Sequence, residues 1–265
     1  MWWAISEKRR CARRAAIALG ATVLLAGAAG EASASPCTFE PQGEGRVAGI
    51  IDARSFRLQD GREVRLAGIE PVLREGASGR ALAKILGNRD VTLRGEDDSP
   101  DRYGRQDAFV FLSSSESSVQ EELLGQGEAL VSATVANKEC ALALIAAETA
   151  AHRAGRGIWA DPDVIKNTES PGDILAGIGR FTLVEGRVLS VRQAGTTTYL
   201  NFGRNWTRDF AATIPKRALA VFEAAGIIPK SFENRRIRVR GFVEAHGGPR
   251  IDVLRVGQIE LLGGN

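Results

Sequence analysis

Short segments with alternating hydrophobic and polar residues fill the first part of the chain and predict β-strands. They cover residues 46–51, 55–58, 63–69, 91–94 and 108–112. The pair Asp60-Gly61 between the second and third segments is typical of a hairpin turn. Apolar residues at helical spacing predict helices over 80–86, 118–124 and 139–154, and Ser118-x-x-Glu121 forms a capping box at the start of the second.

A similar order of elements follows near the C-terminus. Strand patterns cover residues 181–191, 197–202, 209–214, 236–244 and 250–254, with a helix predicted over 215–226. Five strands with a helix after the third are typical of an OB-fold. The sequence therefore predicts a mainly β protein with helices (α+β), built as two OB-fold-type five-stranded barrels in tandem. The predicted domains are 35–160 and 180–265, and the Pro- and Gly-rich residues 161–179 are interpreted as a linker.

The N-terminal residues 1–34 have the pattern of a signal peptide. A basic cluster precedes an uncharged run over 15–30, and Ala32-x-Ala34 follows as a small-residue cleavage pattern. The apolar run is shorter than the ~20 residues of a comfortable membrane span, although an uncleaved anchor remains the alternative. We expect an exported protein, periplasmic or secreted, with no integral membrane segment after cleavage.

Removal of the signal peptide changes the interpretation of charge. Residues 35–166 hold 16 basic and 21 acidic residues, whereas residues 167–265 hold 14 basic and 9 acidic residues. The basic C-terminal half is the better candidate for a polyanion surface, unless the two halves simply attract each other.

Cys37 and Cys140 are the two cysteines that remain after signal cleavage. An even cysteine count in an exported chain favours one disulfide between them, with two unrelated thiols as the alternative.

Several motifs of the first domain resemble the staphylococcal nuclease family in order and spacing, over about residues 46–160. They read Ile50-Ile-Asp-Ala-Arg-Ser-Phe-Arg-Leu58, Val64-Arg-Leu-Ala-Gly-Ile-Glu-Pro71, Asp101-Arg-Tyr-Gly-Arg105, Val119-x-x-Glu-Leu-Leu-x-x-Gly127 and Ala154-Gly-Arg-Gly-Ile-Trp159. The resemblance implies a nuclease fold that hydrolyses DNA and RNA phosphodiesters with one calcium ion. Such chemistry needs oxygen ligands, a carboxylate that activates water, and guanidinium groups on the phosphate.

The resemblance assigns roles to several residues. Arg65 and Arg105 match the two phosphate-binding arginines, and Tyr103 matches the tyrosine beside the second. Glu70 replaces a calcium-ligand aspartate, and Pro71 stands where a backbone carbonyl ligand is expected.

Other positions depart from the family pattern. The turn Asp52-Ala53-Arg54 carries an arginine where the family has its second calcium-ligand aspartate. The general-base glutamate falls on Leu73, or on Val72 with a one-residue slip, so Glu75 could serve only in a rearranged loop. The two nucleotide-stacking tyrosines of the family are replaced by Ala133 and Val135.

These departures leave the calcium ligand set incomplete, so we expect no cofactor. Arg54, Arg65 and Arg105 would then form a metal-free pocket for an anion. The alternatives are that Arg54 points into solvent at a decayed site, and that Arg65 and Arg105 form surface ion pairs.

In the second half, aromatic and basic residues alternate on the second and third predicted strands. Tyr199, Arg204, Trp206 and Arg208 are candidates for binding single-stranded nucleic acid, whereas the alternation places Phe202 and Phe210 in the core. The run of Arg235, Arg236, Arg238 and Arg240 is interpreted as a solvated strand face. His152 and His246 lack partners at ligand spacing, which argues against zinc.

Together these patterns favour binding of nucleic acid or phosphate esters with weak or absent hydrolysis. One alternative is an active nuclease that uses Arg65, Arg105, Asp52, Glu70 and Glu75 in a rearranged site. Another is an envelope scaffold for protein interactions, which would show no salt-dependent retention of DNA.

Overall fold

A computed structural model describes residues 36–37, 39–72, 79–96 and 99–263. The predicted signal peptide lies outside the described residues, as do Leu73 and Glu75. Within the described part of the chain, no helix is both long enough and apolar enough to span a membrane.

The first half forms a closed five-stranded barrel in the order β1-β2-β3-β6-β5, which confirms the predicted OB-type architecture of this half. The strands of this half are β1 (Glu40–Ile50), β2 (Ser55–Leu58), β3 (Glu63–Leu66), β4 (Ile69–Pro71), β5 (Asp90–Gly95), β6 (Arg105–Leu112) and β7 (Ala129–Val131). Strands β3 and β6 run parallel, and the other neighbours in the barrel are antiparallel. Inward side chains such as Val64, Leu66 and Ala108 are fully buried in the core.

Three helices cover this barrel, α1 (Arg80–Leu86), α2 (Val119–Gln126) and α3 (Lys138–Arg153). The predicted capping box is confirmed, since the Ser118 side chain accepts from the Glu121 amide and the Glu121 carboxylate accepts from the Ser118 amide. The buried side chain of Gln120 fastens α2 to the barrel by donating to the carbonyls of Ala67 and Ala108.

The predicted strand over 63–69 is interrupted in the structure. Gly68 has a φ of 76°, and a Cβ there would lie 2.9 Å from the Phe109 ring. Because L-residues rarely adopt this conformation, the chain turns here and separates β3 from β4. Strand β4 leaves the barrel and pairs with β7, so Glu70 lies on a two-stranded sheet beside it.

The segment 161–179, predicted as a linker, carries regular structure. It contains β8 (Ile165–Asn167) and α4 (Pro171–Leu175). Strand β8 pairs with the first strand of the second half, and Ile174 of α4 is fully buried in the core of that half. Because this segment is rich in glycine and proline, its sequence did not predict these short elements. Their stability depends on tertiary contacts.

The second half is an eight-stranded sheet rather than a second closed barrel. It consists of β8 together with β9 (Phe181–Arg187), β10 (Ser190–Ala194), β11 (Thr197–Asn201), β12 (Ala211–Pro215), β13 (Arg236–His246), β14 (Gly248–Asp252) and β15 (Ile259–Leu261). Helix α5 (Lys216–Ala224) follows β12. The order β10-β11-β12-β14-β13-β9 matches the barrel order of the first half, with β12 and β14 parallel.

The predicted strand over 181–191 divides between β9 and β10 because the chain changes partners there. Val188 bonds to the backbone of Asn234 and Arg235, whereas the amide of Leu189 donates to Asn201. The closed second barrel is therefore not confirmed, although the connection order expected for it is present.

A disulfide joins Cys37 to Cys140, as predicted, and ties the N-terminal segment to α3. Both cysteines are fully buried.

A buried ion pair connects the two halves, and a second buried arginine is paired within the second half, contrary to the predicted solvated face on β13. Arg240 lies 2.9 Å from Glu148 of α3, and both side chains are fully buried. Arg238 is also buried and pairs with Glu185 and Glu260. The N-terminal end of this basic run, Arg235 and Arg236, is exposed. The prediction was wrong for Arg238 and Arg240 because this strand is covered on both faces.

Candidate phosphate and nucleic-acid sites

Arg65 and Arg105 lie on neighbouring parallel strands of the first barrel. Arg65 pairs in register with Asp107, which is two residues beyond Arg105 on β6. Strand spacing and rise then place the two arginine Cα atoms about 8 Å apart on the same outward face of the barrel. The Arg65 guanidinium is 26% exposed and has Asp107 at 4.0 Å as its ion-pair partner. Arg65 and Arg105, which we call the arginine clamp, therefore lie on one face of the barrel.

The motif Asp101-Arg-Tyr-Gly-Arg105 forms a tight turn that holds Arg105 in place. One carboxylate oxygen of Asp101 accepts from the amides of Tyr103 and Arg105, and the other accepts from Nε and Nη2 of Arg105. Gly104 has a φ of 78°, which explains the glycine at this position. The geometry of the turn is enough to explain Asp101 and Gly104. The predicted phosphate-binding role of this motif therefore depends on Arg105 and Tyr103.

The Arg105 guanidinium acts back on Asp101. Hydrogen bonding from the Arg105 side chain, then from its amide, lowers the pKa of Asp101 from 3.8 to about 2. Asp101 is therefore ionised at every physiological pH, and Arg105 stays oriented by a charged partner.

Tyr103 is an exposed platform between two cations. Its ring is 66% exposed, with the guanidinium of Arg102 at 4.7 Å and that of Arg105 at 5.1 Å from the ring centroid. Such stacking keeps the Arg105 side chain close to the ring.

Arg54 binds the carboxylate that replaces the calcium-ligand aspartate. Its Nη1 donates to Glu70 Oε2 at 3.0 Å and to the carbonyl of Ile69 at 3.4 Å. The two side chains are 22% and 16% exposed, so the alternative that Arg54 points into solvent is wrong. A guanidinium thus neutralises Glu70 at the place where the family resemblance puts a cation. This pairing also removes the reason for assigning Arg54 to phosphate.

The described residues next to Glu70 supply few of the ligands that a calcium site needs. Calcium needs six or more oxygen ligands with several carboxylates, whereas Glu70 here faces a positive charge. Asp52 instead caps its own turn by accepting from the Arg54 amide. Within the described ranges, no group of three or more His, Cys, Asp or Glu side chains could hold a metal ion.

The family's base and stacking positions have apolar surroundings where the structure describes them. Val72 packs against a hydrophobic cluster, and Val135 is buried in the core of the first half. Ala133 lines a groove beside the second half and offers no ring for stacking. Glu75, predicted as a possible catalytic residue, lies outside the described residues.

A chain of contacts that the sequence did not predict links Glu70 to the second half. Ser132 Oγ lies 3.5 Å from Glu70 Oε1. Both backbone polar groups of its neighbour Val131 are hydrogen-bonded. The amide of Val131 donates to Glu148 and its carbonyl accepts from Arg240. One signal was visible in the sequence, since Glu148 falls on the apolar face of α3 with Leu144 and Ala151 of that helix.

In the second half, the structure brings three of the four predicted nucleic-acid residues together. Tyr199, Arg204 and Trp206 line one groove of about 870 Å³, while Arg208 is not among the lining residues and lies 3.5 Å from Asp209. Phe202 and Phe210 are buried, as their alternation predicted.

Comparison with known families gives a match for part of the chain. Residues 75–161 match the model described as staphylococcal nuclease homologue. The matched stretch includes Tyr103, Arg105 and α3, whereas Arg54, Arg65 and Glu70 precede it. No curated protein matches the chain. This match and the closed barrel support the predicted resemblance of the first half to the staphylococcal nuclease family, and the match itself covers residues 75–161.

Proposed function

We propose that this chain is an exported protein whose first barrel binds the phosphodiester groups of nucleic acid or nucleotides, with weak or absent hydrolysis. The observation that carries the proposal is the pairing of Arg54 with Glu70 beside a retained pair of phosphate-binding arginines. Arg65 and Arg105 supply charge and hydrogen-bond donors, and Tyr103 supplies a surface for a base or sugar.

The arginines have partners that a phosphate can displace or share. The Arg65–Asp107 distance of 4.0 Å is at the limit of an ion pair, and exposed pairs of this kind contribute little. Arg105 is oriented by Asp101 through Nε and Nη2, which fixes the direction of its guanidinium before any ligand arrives. Preorganised donors reduce the cost of binding.

Hydrolysis requires more than a bound phosphate. The Arg54–Glu70 pair disfavours the metal ion, and the strict base position carries Leu73. Because Arg54 occupies a metal-ligand position and Leu73 occupies the base position, we propose binding as the activity of these residues.

Export is part of the proposal because of the N-terminal pattern and the disulfide. The Cys37–Cys140 bond supports an oxidising compartment such as the periplasm or the extracellular space.

Binding of labelled single-stranded oligonucleotides, measured by fluorescence anisotropy without divalent metal, tests the proposal. The double variant Arg65→Ala/Arg105→Ala should bind about tenfold more weakly or worse, since it loses two charge-assisted contacts. Arg46→Ala is the matched control, because Arg46 is an exposed, ion-paired arginine on β1. Equal affinity of the double variant and the wild type would reject the site.

Hydrolysis is measured on the same oligonucleotides with calcium. Efficient calcium-dependent cleavage that Glu70→Gln abolishes would establish the nuclease alternative instead. Binding that does not weaken as salt is raised would favour the scaffold alternative.

A further inference from the structure

The groove between β10 and the loop 203–209 presents an exposed aromatic ring beside two arginines, Arg192 and Arg204. Trp206 is 76% exposed, an unusual position for the largest apolar side chain. Its ring lies close to Gly247 of the β13–β14 turn, where a Cβ would approach a ring carbon to 3.6 Å. The turn therefore supports one side of the ring and leaves the rest open.

The sheet adds a second ring and a second cation to this groove. Arg192 of β10 and Tyr199 of β11 are direct cross-strand partners, which brings their Cβ atoms to about 5 Å. Arg204 comes from the loop that also carries Trp206. The residues that line the groove are Leu189, Ser190, Arg192, Ala194, Tyr199, Asn201, Gly203, Arg204 and Trp206.

No carboxylate is among these lining residues, within the part of the chain that the structure describes. The nearby acids have other partners. Asp209 accepts from the amide of Asn205, and Glu233, whose charge acts on Arg192, accepts from Lys230 and from the Val191 amide. Within the described part of the chain, neither Arg192 nor Arg204 forms an ion pair, although the charge of Glu233 acts on Arg192.

We infer that this groove is a second binding site, separate from the arginine clamp of the first barrel, and that it takes single-stranded nucleic acid. Bases stack on Trp206 and Tyr199, while Arg192 and Arg204 contact the backbone phosphates. Rings with adjacent cations on a sheet surface suit single strands, because paired bases have no free faces for stacking. Asn201 and Ser190 also line the groove, and the Asn201 amide donates to the Ser190 hydroxyl.

Tryptophan fluorescence gives a direct readout of this site. Among the described residues, Trp159 is buried and Trp206 is exposed, so stacking on Trp206 quenches the accessible emission. The full chain is titrated with an oligothymidylate of about 10 nucleotides, a length within the usual site size. We expect quenching in the wild type and no such quenching in Trp206→Phe.

Affinity is then measured by anisotropy with the same labelled probe. Trp206→Ala should weaken binding by about tenfold or more through loss of one stacking platform, whereas Trp206→Phe should retain much of the affinity. Arg204→Ala should lower the slope of log affinity against log salt by about 0.7. Because Trp206 and Arg204 are exposed, these changes leave the fold intact.

Two controls match the variants in chemistry but lie elsewhere. Phe242→Ala removes an exposed ring on β13, and Arg153→Ala removes an exposed arginine at the end of α3. Neither should alter the affinity. Equal affinity of Trp206→Ala and the wild type would overturn the inference, as would equal weakening by Phe242→Ala or equally tight binding of a duplex of the same length.

The clamp variant Arg65→Ala/Arg105→Ala separates this inference from the proposed function. If the groove is independent, that variant keeps the Trp206 quenching whether or not its overall affinity falls. Loss of the quenching in a folded clamp variant would show that the groove is not a separate site.

Discussion

Replacing Arg240 by methionine should cost far more stability than its position on a basic strand suggests. The side chains of Arg240 and Glu148 are both fully buried, and Arg240 Nη1 lies 2.9 Å from Glu148 Oε2. The Arg240→Met variant leaves a buried carboxylate without its counter-charge, which typically costs about 3–5 kcal/mol. For a chain of this size the loss corresponds to a fall in Tm of ~10 °C.

Urea unfolding followed by Trp159 fluorescence measures the change. Arg236→Met is the matched control, because Arg236 lies on the same strand with a 63% exposed side chain and a partner at 3.5 Å. Arg236→Met should change the free energy of unfolding by no more than about 0.5 kcal/mol. The second variant, Arg240→Met/Glu148→Gln, removes the stranded charge while its amide oxygen can still accept from Val131. This double variant should recover part of the loss.

A change below about 1 kcal/mol in Arg240→Met would refute this reasoning, since it would show that the carboxylate is solvated or easily neutralised. The same holds if Arg240→Met/Glu148→Gln is no more stable than Arg240→Met.

Three further predictions concern the first half. Reducing the disulfide, or Cys37→Ser/Cys140→Ser, should destabilise the protein by up to about 4–5 kcal/mol in the chain-entropy model, because the bond closes a loop with a sequence separation of 103. Thermal unfolding with and without reductant measures this loss of stability. Asp101 has a folded pKa of about 2, below its usual 3.8, so its stabilisation is complete above pH ~4 and is lost as pH falls towards 2. Asp101→Asn should therefore flatten the acid side of the stability profile, and an unchanged profile would contradict the Asp101–Arg105 contact. Gly104→Ala should lower the free energy of unfolding by about 1 kcal/mol, since the φ of 78° at Gly104 is unfavourable for alanine. It should also weaken oligonucleotide binding, because this turn positions Arg105. Equal stability and affinity in the variant and the wild type would contradict this prediction.

The sequence predicted the first barrel well because hydrophobic and polar residues alternate along its strands and its turns carry residues typical of turns. The capping box at Ser118 and the disulfide were also predictable, since each depends on a few residues at fixed positions or on cysteine count. The break at Gly68 was not predicted, because a single glycine within an apolar strand pattern can be part of the strand or end it.

The remaining differences arise from contacts between distant parts of the chain. Strand β8 and helix α4 are too short for a periodic pattern and depend on the second sheet for burial. Arg238 and Arg240 alternate with apolar residues as solvated arginines would. Their burial depends on Glu185 of β9 and Glu260 of β15 for Arg238, and on Glu148 of α3 for Arg240.

The arginine site was predictable in part. Motif spacing identified Arg65, Arg105 and Tyr103, but it could not show where the Arg54 guanidinium lies. Its pairing with Glu70 depends on the turn that ends β3 and on the pairing of β4 with β7. Likewise, the sequence did not predict Arg192 as part of the groove around Trp206. Its position there depends on the register of β10 with β11.

Calcium titration calorimetry of the wild type and of Arg54→Asp, with and without a nucleoside bisphosphate, tests whether the Arg54 guanidinium excludes calcium from Glu70. We expect no calcium binding by the wild type up to millimolar concentrations, because the Arg54 guanidinium neutralises Glu70. Arg54→Asp should gain binding in about the 10⁻⁴–10⁻³ M range, since it restores a second carboxylate beside Glu70. Calcium binding by the wild type at micromolar concentrations would contradict the account.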